Sequence, residues 1–388
     1  MTSARVGRGT IILMLLAAFF AGYLVRTLPL LTPREGTPQR EADSTSSNSA
    51  ISQYTEALAH IRQSAVFLRP TESMEDLTAS TLKAYLAQED PYSDFLTSGE
   101  YMRFKAAGSQ IHAGIGLDIE KQRNGDVICY PLPEGPAARA GVQPGERLLA
   151  LDGISITGKS IPAVVALAMG QPGTHIILEL EDHSGIRRQL TITRSLNSFP
   201  AVSEYTHRSI RIIKLTSFTP ATRKDLEYML SDWSKAHPVI VDLRNCGGGD
   251  FHAAVDAAML FLKQGEPIIS VKSRSGMQSY SSTIEPISPT QRVFLWQDEL
   301  TASAAEIFIA ALVENGRAAS VGRITAGKGT RQDVIELKNG GALILTTGYL
   351  VTPRGVQFDG RGLAPTYPVK QGSANTDYFF DKTASLIN

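Results

Sequence analysis

A serine, a lysine and a glutamine are the residues of this chain best suited to nucleophilic chemistry. Ser303 lies among small residues at the start of an apolar segment that predicts a helix over Ser303–Glu314. The first turn of a helix presents backbone N–H groups and a partial positive charge, which favour an oxyanion. Lys328 follows between two glycines, and Gln332 comes four residues after it.

These three side chains have the chemistry of a catalytic set. A serine hydroxyl is a poor nucleophile without a neighbouring base, and burial favours the neutral amine that lets lysine act as one. A glutamine can orient that amine, which is the role of a third member in a triad. On spacing alone, a helix N-cap serine and a surface lysine in a turn explain the pattern equally well.

Two glycine-rich segments match the sequence pattern of phosphate-binding loops in full or in part. Residues 153–160 match the P-loop pattern in full and follow an apolar strand. However, Asp152-Gly153 is typical of a turn between strands, and Pro162 falls in the first turn of the next predicted helix. Residues 322–329 lack the Ser or Thr that would contact Mg²⁺. We therefore interpret both segments as turns, with a nucleotide-binding protein as the alternative.

Composition excludes several other functions. The 38 basic residues balance 38 acidic ones, which argues against a nucleic-acid-binding protein. Two cysteines 117 positions apart form neither a disulfide scaffold nor a four-cysteine zinc site. The seven histidines form no close metal set, and His252 has no G-x-S-x-G elbow that would make it part of a Ser-His-Asp triad. We expect no metal, nucleotide or other cofactor.

The N-terminal segment has the pattern of an export sequence. Arg5 and Arg8 precede an apolar run over residues 11–25, which favours an uncleaved membrane anchor over a cleaved signal. Either form exports the rest of the chain to the extracytoplasmic or periplasmic side of the cell envelope, and the favoured anchor would tether it to the inner membrane. We therefore predict an anchor over residues 1–32 and a polar, flexible linker over residues 33–50.

The rest of the chain predicts a multidomain α/β protein. Helical patterns dominate residues 51–106, whereas residues 107–196 contain short strands, Gly/Pro/Asn turns and two short helices. Residues 197–388 alternate helices with apolar strands, among them Val239–Leu243, whose continuous apolar run is typical of a strand buried on both faces.

Several separated motifs resemble, in order, the C-terminal processing (tail-specific) peptidases, the serine–lysine peptidases of the S41 class. The resemblance covers roughly residues 88–368. The motifs are Asp90-Pro91-Tyr92-Ser93, Phe95-Leu96-Thr97, Gly114-Ile115-Gly116-Leu117, Pro136 to Val142, Pro144-Gly145-Glu146, Asp152-Gly153, Asp242-Leu243-Arg244-Asn245 with the glycines 247–249, and Ser303, Lys328 and Gln332.

The resemblance implies a PDZ domain at residues 107–196 inserted before a ClpP/crotonase-like peptidase core at residues 197–388. It assigns Ser303 as nucleophile, Lys328 as base and Gln332 as the orienting residue. It places the oxyanion donors at the backbone N–H groups of Ala304 and Gly248.

The same resemblance implies that the PDZ loop Gly114, Ile115, Gly116 and Leu117 binds the C-terminus of a protein substrate. Its apolar surroundings favour apolar C-terminal side chains. Whether the protein forms a homo-oligomer or needs an activating adaptor stays open. Cys246, Gly247, Asp298-Glu299-Leu300 and Ala305 depart from the family pattern and bear on loop geometry and substrate preference. The alternative function is a catalytically silent PDZ scaffold that only binds C-terminal tails.

Overall fold

A computed structural model describes residues 40–66, 73–107, 114–196, 200–233, 237–287, 291–370 and 375–387. The predicted anchor over residues 1–32 lies outside these ranges, as do residues 33–39 of the predicted linker. Among the helices that the ranges contain, none combines the length and apolarity that crossing a bilayer requires. The chain divides into two units, with the boundary after Glu89.

The first unit contains two helices, α1 (Arg40–Ser64) and α2 (Met74–Glu89), with Leu58 and Leu77 buried. Helix α1 corrects the predicted flexible linker, because residues 40–50 belong to the helix. The physical reason is cooperativity: once the apolar positions after residue 50 form helix, each preceding residue adds a hydrogen bond at little further cost. Arg40, with a glutamate and an alanine after it, also has good helix propensity.

The second unit begins with a short strand and helix and continues into a strand-rich domain. Its elements are β1 (Asp94–Leu96), α3 (Ser98–Ala107), β2 (Leu117–Lys121), β3 (Val127–Pro131), α4 (Pro136–Arg139), β4 (Arg147–Leu151), β5 (Ile154–Ser155), α5 (Ile161–Ala168), β6 (His175–Glu181) and β7 (Arg187–Thr193). The sheet is antiparallel in the order β2-β3-β4-β6-β7, with β5 against β4.

The P-loop look-alike lies in this domain and is explained by it. Residues 153–160 form the β4–β5 hairpin and the approach to α5. Ser160 is the N-cap of α5 and accepts a hydrogen bond from the N–H of Ala163, while its own N–H donates to Asp94 at 2.9 Å. The segment therefore forms a hairpin turn and caps helix α5, and it does not form a phosphate-binding loop.

The remaining residues form an α/β region with two sheets. Its elements are β8 (Val202–His207), β9 (Ile210–Leu215), α6 (Thr222–Ser231), β10 (Val239–Asp242), α7 (Phe251–Met259), β11 (Pro267–Ser273), β12 (Gly276–Ser281), β13 (Val293–Gln297), α8 (Ala304–Glu314), β14 (Ala318–Gly322), β15 (Thr330–Glu336), β16 (Ala342–Val351), β17 (Tyr367–Pro368) and α9 (Thr376–Ile387).

The main sheet has the order β17-β14-β13-β10-β9-β8 and is parallel except between β8 and β9. All four residues of β10 are buried, as expected for a central strand covered on both faces. Helices α7 and α8 supply one apolar layer, and Phe379 and Phe380 of α9 supply another. In a parallel sheet, loops after neighbouring strands meet at one edge. The loops after β10 and β13 therefore meet, and they carry the glycine-rich segment and Ser303.

The second sheet has the order β1-β16-β11-β12, and β15 pairs with β16. Lys328 lies two residues before β15, at the end of this hairpin. The nucleophile and the base that the sequence predicts therefore come from different sheets, so contacts between loops must set their relative position.

Candidate active site

Ser303 occupies a strained backbone conformation at the start of α8. Its φ of 54° is in the left-handed region, which few residues other than glycine adopt. Such conformations cost on the order of 1–3 kcal/mol and persist only where surrounding contacts hold them. Here the N–H of the preceding Ala302 donates to the carbonyl of Cys246 at 2.9 Å, and the Ser303 N–H donates to Glu306 at 2.8 Å.

The glycine-rich loop after β10 lies directly against the serine. A Cβ at Gly248 would come within 2.8 Å of the Ser303 Cβ and 3.0 Å of the Ala304 nitrogen, and Gly248 itself has a φ of +113°. Only glycine permits this approach. The loop is fixed because the Gly248 carbonyl accepts a 2.7 Å hydrogen bond from the N–H of Phe218. The two predicted oxyanion donors, Gly248 and Ala304, therefore flank Ser303.

One buried ion pair anchors the start of that loop. Arg244 binds Asp242 through two side-chain hydrogen bonds of 2.8 Å and lies between the rings of Trp296 and Phe379. Burial alone would raise the pKa of Asp242, but Lys214 and Arg244 together lower it to about 2. The carboxylate therefore stays ionised, and the guanidinium ties the end of β10 to α9.

The residue that connects serine and lysine is Glu306, which the sequence reasoning did not assign. One of its carboxylate oxygens accepts from the N–H groups of Ser303 and Lys328, at 2.8 and 2.9 Å. The other accepts from the N–H of Gly327 at 2.8 Å and from the Thr325 hydroxyl. The side chain is fully buried, and burial raises its pKa to about 7 against these four hydrogen bonds. The S-x-x-E spacing of a capping box was the available signal.

The Lys328 ammonium bonds to Glu120 of strand β2, and both side chains are 12% exposed. It also lies 5.2 Å from the centre of the Tyr92 ring. Within the part of the chain that the structure describes, we find no hydrogen bond between this ammonium and Ser303. The base that the sequence predicts is therefore held by a carboxylate from the strand-rich domain, a partner that no local pattern indicated.

Gln332 also differs from its predicted role. Its amide nitrogen donates to the hydroxyls of Thr330 and Thr346, at 3.0 and 3.1 Å, and the described residues show no bond to Lys328. It lies on β15 opposite Thr346 of β16. In this geometry Gln332 fixes the hairpin, and its action on the amine stays a prediction.

The outer face of the β2–β3 hairpin docks onto the predicted catalytic residues. Because side chains alternate along a strand, Asp118 and Glu120 share the face opposite to the domain core. Asp118 accepts from the Ser217 hydroxyl at 3.0 Å, beside the glycine-rich loop. Burial raises the pKa of both carboxyls, opposed by Lys328. At the hairpin turn, Arg123 pairs with Asp359 at 2.9 Å.

Two cavities accompany these contacts. One, of about 350 Å³, lies between the domains and is lined by Tyr92, Glu120, Tyr130, Ala302 and Lys328, among others. The other, of about 260 Å³, lies in the strand-rich domain between β2 and α5. All four residues of the predicted carboxylate-binding loop line it, and its other walls are mostly apolar. They include Ile119, Leu132, Leu148, Leu151, Val164 and Met169.

Comparisons with known proteins match both regions. The model of peptidase family S41 matches residues 209–369, and a PDZ domain model matches residues 127–182. The carboxy-terminal processing protease CtpA of Bacillus subtilis is 30% identical over 71% of this chain and 60% of its own length. A carboxyl-terminal-processing protease of Picosynechococcus is 29% identical over 78% of this chain and 75% of its own length. This chain thus spans 60% and 75% of these two curated relatives.

A solved structure shares the fold. The photosystem II D1 C-terminal processing protease superposes with a TM-score of 0.70 at 24% sequence identity, over 82% of this chain and 88% of that one. At this identity the likeness concerns the fold, which combines a PDZ domain with a mixed α/β core.

Proposed function

Because the chain belongs to peptidase family S41 and carries a PDZ domain, we propose that it is a serine endopeptidase that recognises protein C-termini. The observation that carries the proposal is the shared carboxylate of Glu306, which accepts from the N–H groups of both Ser303 and Lys328. A single buried side chain thereby holds a nucleophile and a basic residue on adjoining loops. An ordinary capping box explains the bond from the Ser303 N–H, but it does not explain the bonds from the N–H groups of Gly327 and Lys328.

The proposed reaction uses only groups of this chain and water. Ser303 attacks the scissile carbonyl while neutral Lys328 accepts the hydroxyl proton, and the N–H groups of Ala304 and Gly248 stabilise the oxyanion. One such donor is typically worth about 2.7–4 kcal/mol. Lys328 then protonates the departing amine. Water, deprotonated by the same lysine, hydrolyses the acyl-enzyme and regenerates the serine.

Substrate capture is proposed for the cavity between β2 and α5. An extended tail would add to the free edge of β2, with its carboxylate at residues 114–117. The apolar walls and the volume of about 260 Å³ favour a medium-sized apolar C-terminal side chain. Export and membrane tethering stay predictions from the sequence of residues 1–32.

The ion pair of Lys328 with Glu120 supports the proposal that the described conformation is a resting one. An ammonium bonded to a carboxylate cannot accept a proton from Ser303. Activity therefore requires that Lys328 leave Glu120 and lose its proton. The same ion pair also fits the alternative function, a catalytically silent PDZ scaffold, because such a protein would never need to release the lysine.

Proteolysis of an unstructured protein with an apolar C-terminus tests both functions. We expect the full chain to cleave it, Ser303→Ala to abolish cleavage, and Ser231→Ala, a change at an exposed serine, to have no effect. Amidating the substrate's C-terminus should weaken its binding. Cleavage that persists in Ser303→Ala would reject the nucleophile. Binding without cleavage, in the wild type and in variants that release Lys328, would favour the scaffold.

A further inference from the structure

Tyr130 of the PDZ domain carries a buried hydroxyl for which the described part of the chain supplies no hydrogen-bond partner. The side chain is 3% exposed, and its oxygen makes no hydrogen bond with any described residue. Other tyrosines differ, since Tyr101 donates to Glu336 at 2.6 Å and Tyr205 to Asp242 at 3.0 Å. Buried polar groups of folded proteins are nearly always paired, so this exception needs an explanation.

The position of Tyr130 connects it with the catalytic loop. On strand β3 it lies opposite Asp118 and therefore shares the face that docks onto the peptidase core. A Cβ at Gly247 would come within 2.9 Å of two of its ring atoms, so the ring packs directly on that glycine. The next residue, Gly248, lies against Ser303. Tyr130 also lines the 350 Å³ cavity that Ala302 and Lys328 border.

The hydroxyl is suited to donate rather than to accept. Burial, together with the carboxylates of Glu120 and Asp118, raises the pKa of Tyr130 well above its usual value, so the phenol keeps its proton. Both carboxylates already accept other hydrogen bonds, from Lys328 and Ser217 respectively. Neither of these two described carboxylates accepts from the phenol, so its proton is available to an acceptor that enters the cavity. A polypeptide crossing it brings a carbonyl oxygen with every residue.

We propose that the Tyr130 hydroxyl binds substrate by donating a hydrogen bond to a backbone carbonyl beside the scissile bond. The proposal rests on the proposed peptidase function and extends it, because it makes the PDZ domain part of the cleavage site as well as of tail capture. The interaction is independent of side-chain identity, which suits an enzyme that cleaves unstructured chains of varied sequence. It also explains why the donor is unpaired when no substrate is bound.

The Tyr130→Phe variant of the full chain tests the hydroxyl while keeping the ring on Gly247. For a fluorogenic peptide we expect kcat/KM to fall about five- to tenfold, as for loss of one neutral hydrogen bond. The thermal midpoint should not fall, because an unpaired buried polar group is removed. Tyr101→Phe is the matched control, which loses a paired hydroxyl away from the cavity and should lower the midpoint with kcat/KM unchanged. An unchanged kcat/KM in Tyr130→Phe would overturn the proposal.

A binding measurement separates this proposal from the proposed function. In the Ser303→Ala background, an amidated peptide avoids the carboxylate loop and reports on the cavity by fluorescence anisotropy. We expect Tyr130→Phe to weaken its binding about fivefold. Equal affinity, or no binding to either protein, would overturn the role of Tyr130 even if the wild type cleaves. The proposed function would instead be rejected if the wild type did not cleave, or if Ser303→Ala still cleaved. In either case the difference in peptide affinity between Tyr130→Phe and its parent still decides the role of Tyr130.

Discussion

Replacing Glu120 by glutamine should activate the enzyme. Glu120 and Lys328 form an ion pair between the PDZ domain and the peptidase core, and each side chain is only 12% exposed. Glutamine keeps the size of the side chain and an acceptor oxygen but removes the charge. Lys328 then loses its charged partner, so its side chain becomes free to leave this position and approach Ser303.

The size of the effect follows from the electrostatics of a partly buried pair. Two unit charges 4 Å apart attract by about 4 kcal/mol at an effective dielectric constant of about 20. A neutral hydrogen bond from lysine to the new amide retains about 1 kcal/mol of this. The remaining difference of about 3 kcal/mol corresponds to about a 100-fold increase in the population of released lysine. We therefore expect kcat/KM to rise by up to about 100-fold.

The assay is cleavage of a short fluorogenic peptide that is amidated at its C-terminus, so that tail capture does not contribute. Glu179→Gln is the matched control, since Glu179 is a half-buried PDZ carboxylate that accepts a hydrogen bond from Gln189 at 3.0 Å and does not line the cavity of Lys328. It should leave kcat/KM unchanged. The double variant Glu120→Gln, Ser303→Ala should be inactive. If Glu120→Gln cleaves no faster than the wild type, the ion pair does not restrain the base, and the reasoning is refuted.

Three further predictions concern the base, the shared carboxylate and the glycine loop. Lys328→Arg should reduce cleavage at least 1,000-fold, because a guanidinium cannot serve as a base. The thermal midpoint should stay unchanged, and substantial cleavage by this variant would exclude Lys328 as the base. Burial raises the pKa of Glu306 to about 7, so the folded state keeps a proton that the unfolded state loses near pH 4.5. The free energy of unfolding should therefore fall by about 3 kcal/mol between pH 4.5 and 7 through this group. Urea titrations at several pH values should show that Glu306→Gln lacks this part of the pH dependence. If the free energy of unfolding changes with pH equally in the variant and the wild type, the raised pKa of Glu306 is contradicted. Gly249→Ala should destabilise the protein and abolish cleavage, since its Cβ would lie 2.3 Å from the Phe218 carbonyl oxygen at a φ of +125°; a well-folded, active variant would show that the loop relaxes freely.

Much of the fold could be predicted from the sequence, because the apolar pattern of a buried helix or strand is contained in a short segment. The strand predicted over Val239–Leu243 and the helix predicted over Ser303–Glu314 each differ by one residue from β10 and α8 of the structure. Strand β8 was missed because it carries one fully buried residue and polar side chains such as Thr206 along the rest. Helix α9 was missed as well, although its apolar face covers the parallel sheet.

Residues of the candidate site could be predicted from the sequence only where they lie close to one another along the chain. On spacing alone the roles of Ser303, Lys328 and Gln332 were undecided, and the family resemblance predicted a nucleophile, a base and an orienting residue, which stays a prediction; Glu306 was within reach of the capping-box pattern. The pairing of Lys328 with Glu120 joins residues 208 positions apart. It depends on how two domains dock, which no periodicity or motif encodes. The sequence analysis did not assign Tyr130 either. A tyrosine on an apolar strand is typical of a core residue, and only the docking of the two domains places it beside the catalytic loop.

The hydrogen bonds of Glu306 depend little on the side chains of the residues that donate them. Three of its four donors are backbone N–H groups, at Ser303, Gly327 and Lys328. Every amino acid except proline supplies such a donor. A change of side chain at Lys328 would therefore leave the attachment to the nucleophile helix in place, whereas Gly327 and Gly329 must stay glycine because a Cβ at either would lie 2.6 Å from a backbone nitrogen. For this attachment, the constraint on side-chain chemistry falls on Glu306 and on the Thr325 hydroxyl, and the length of the glutamate side chain sets the distance between the two loops.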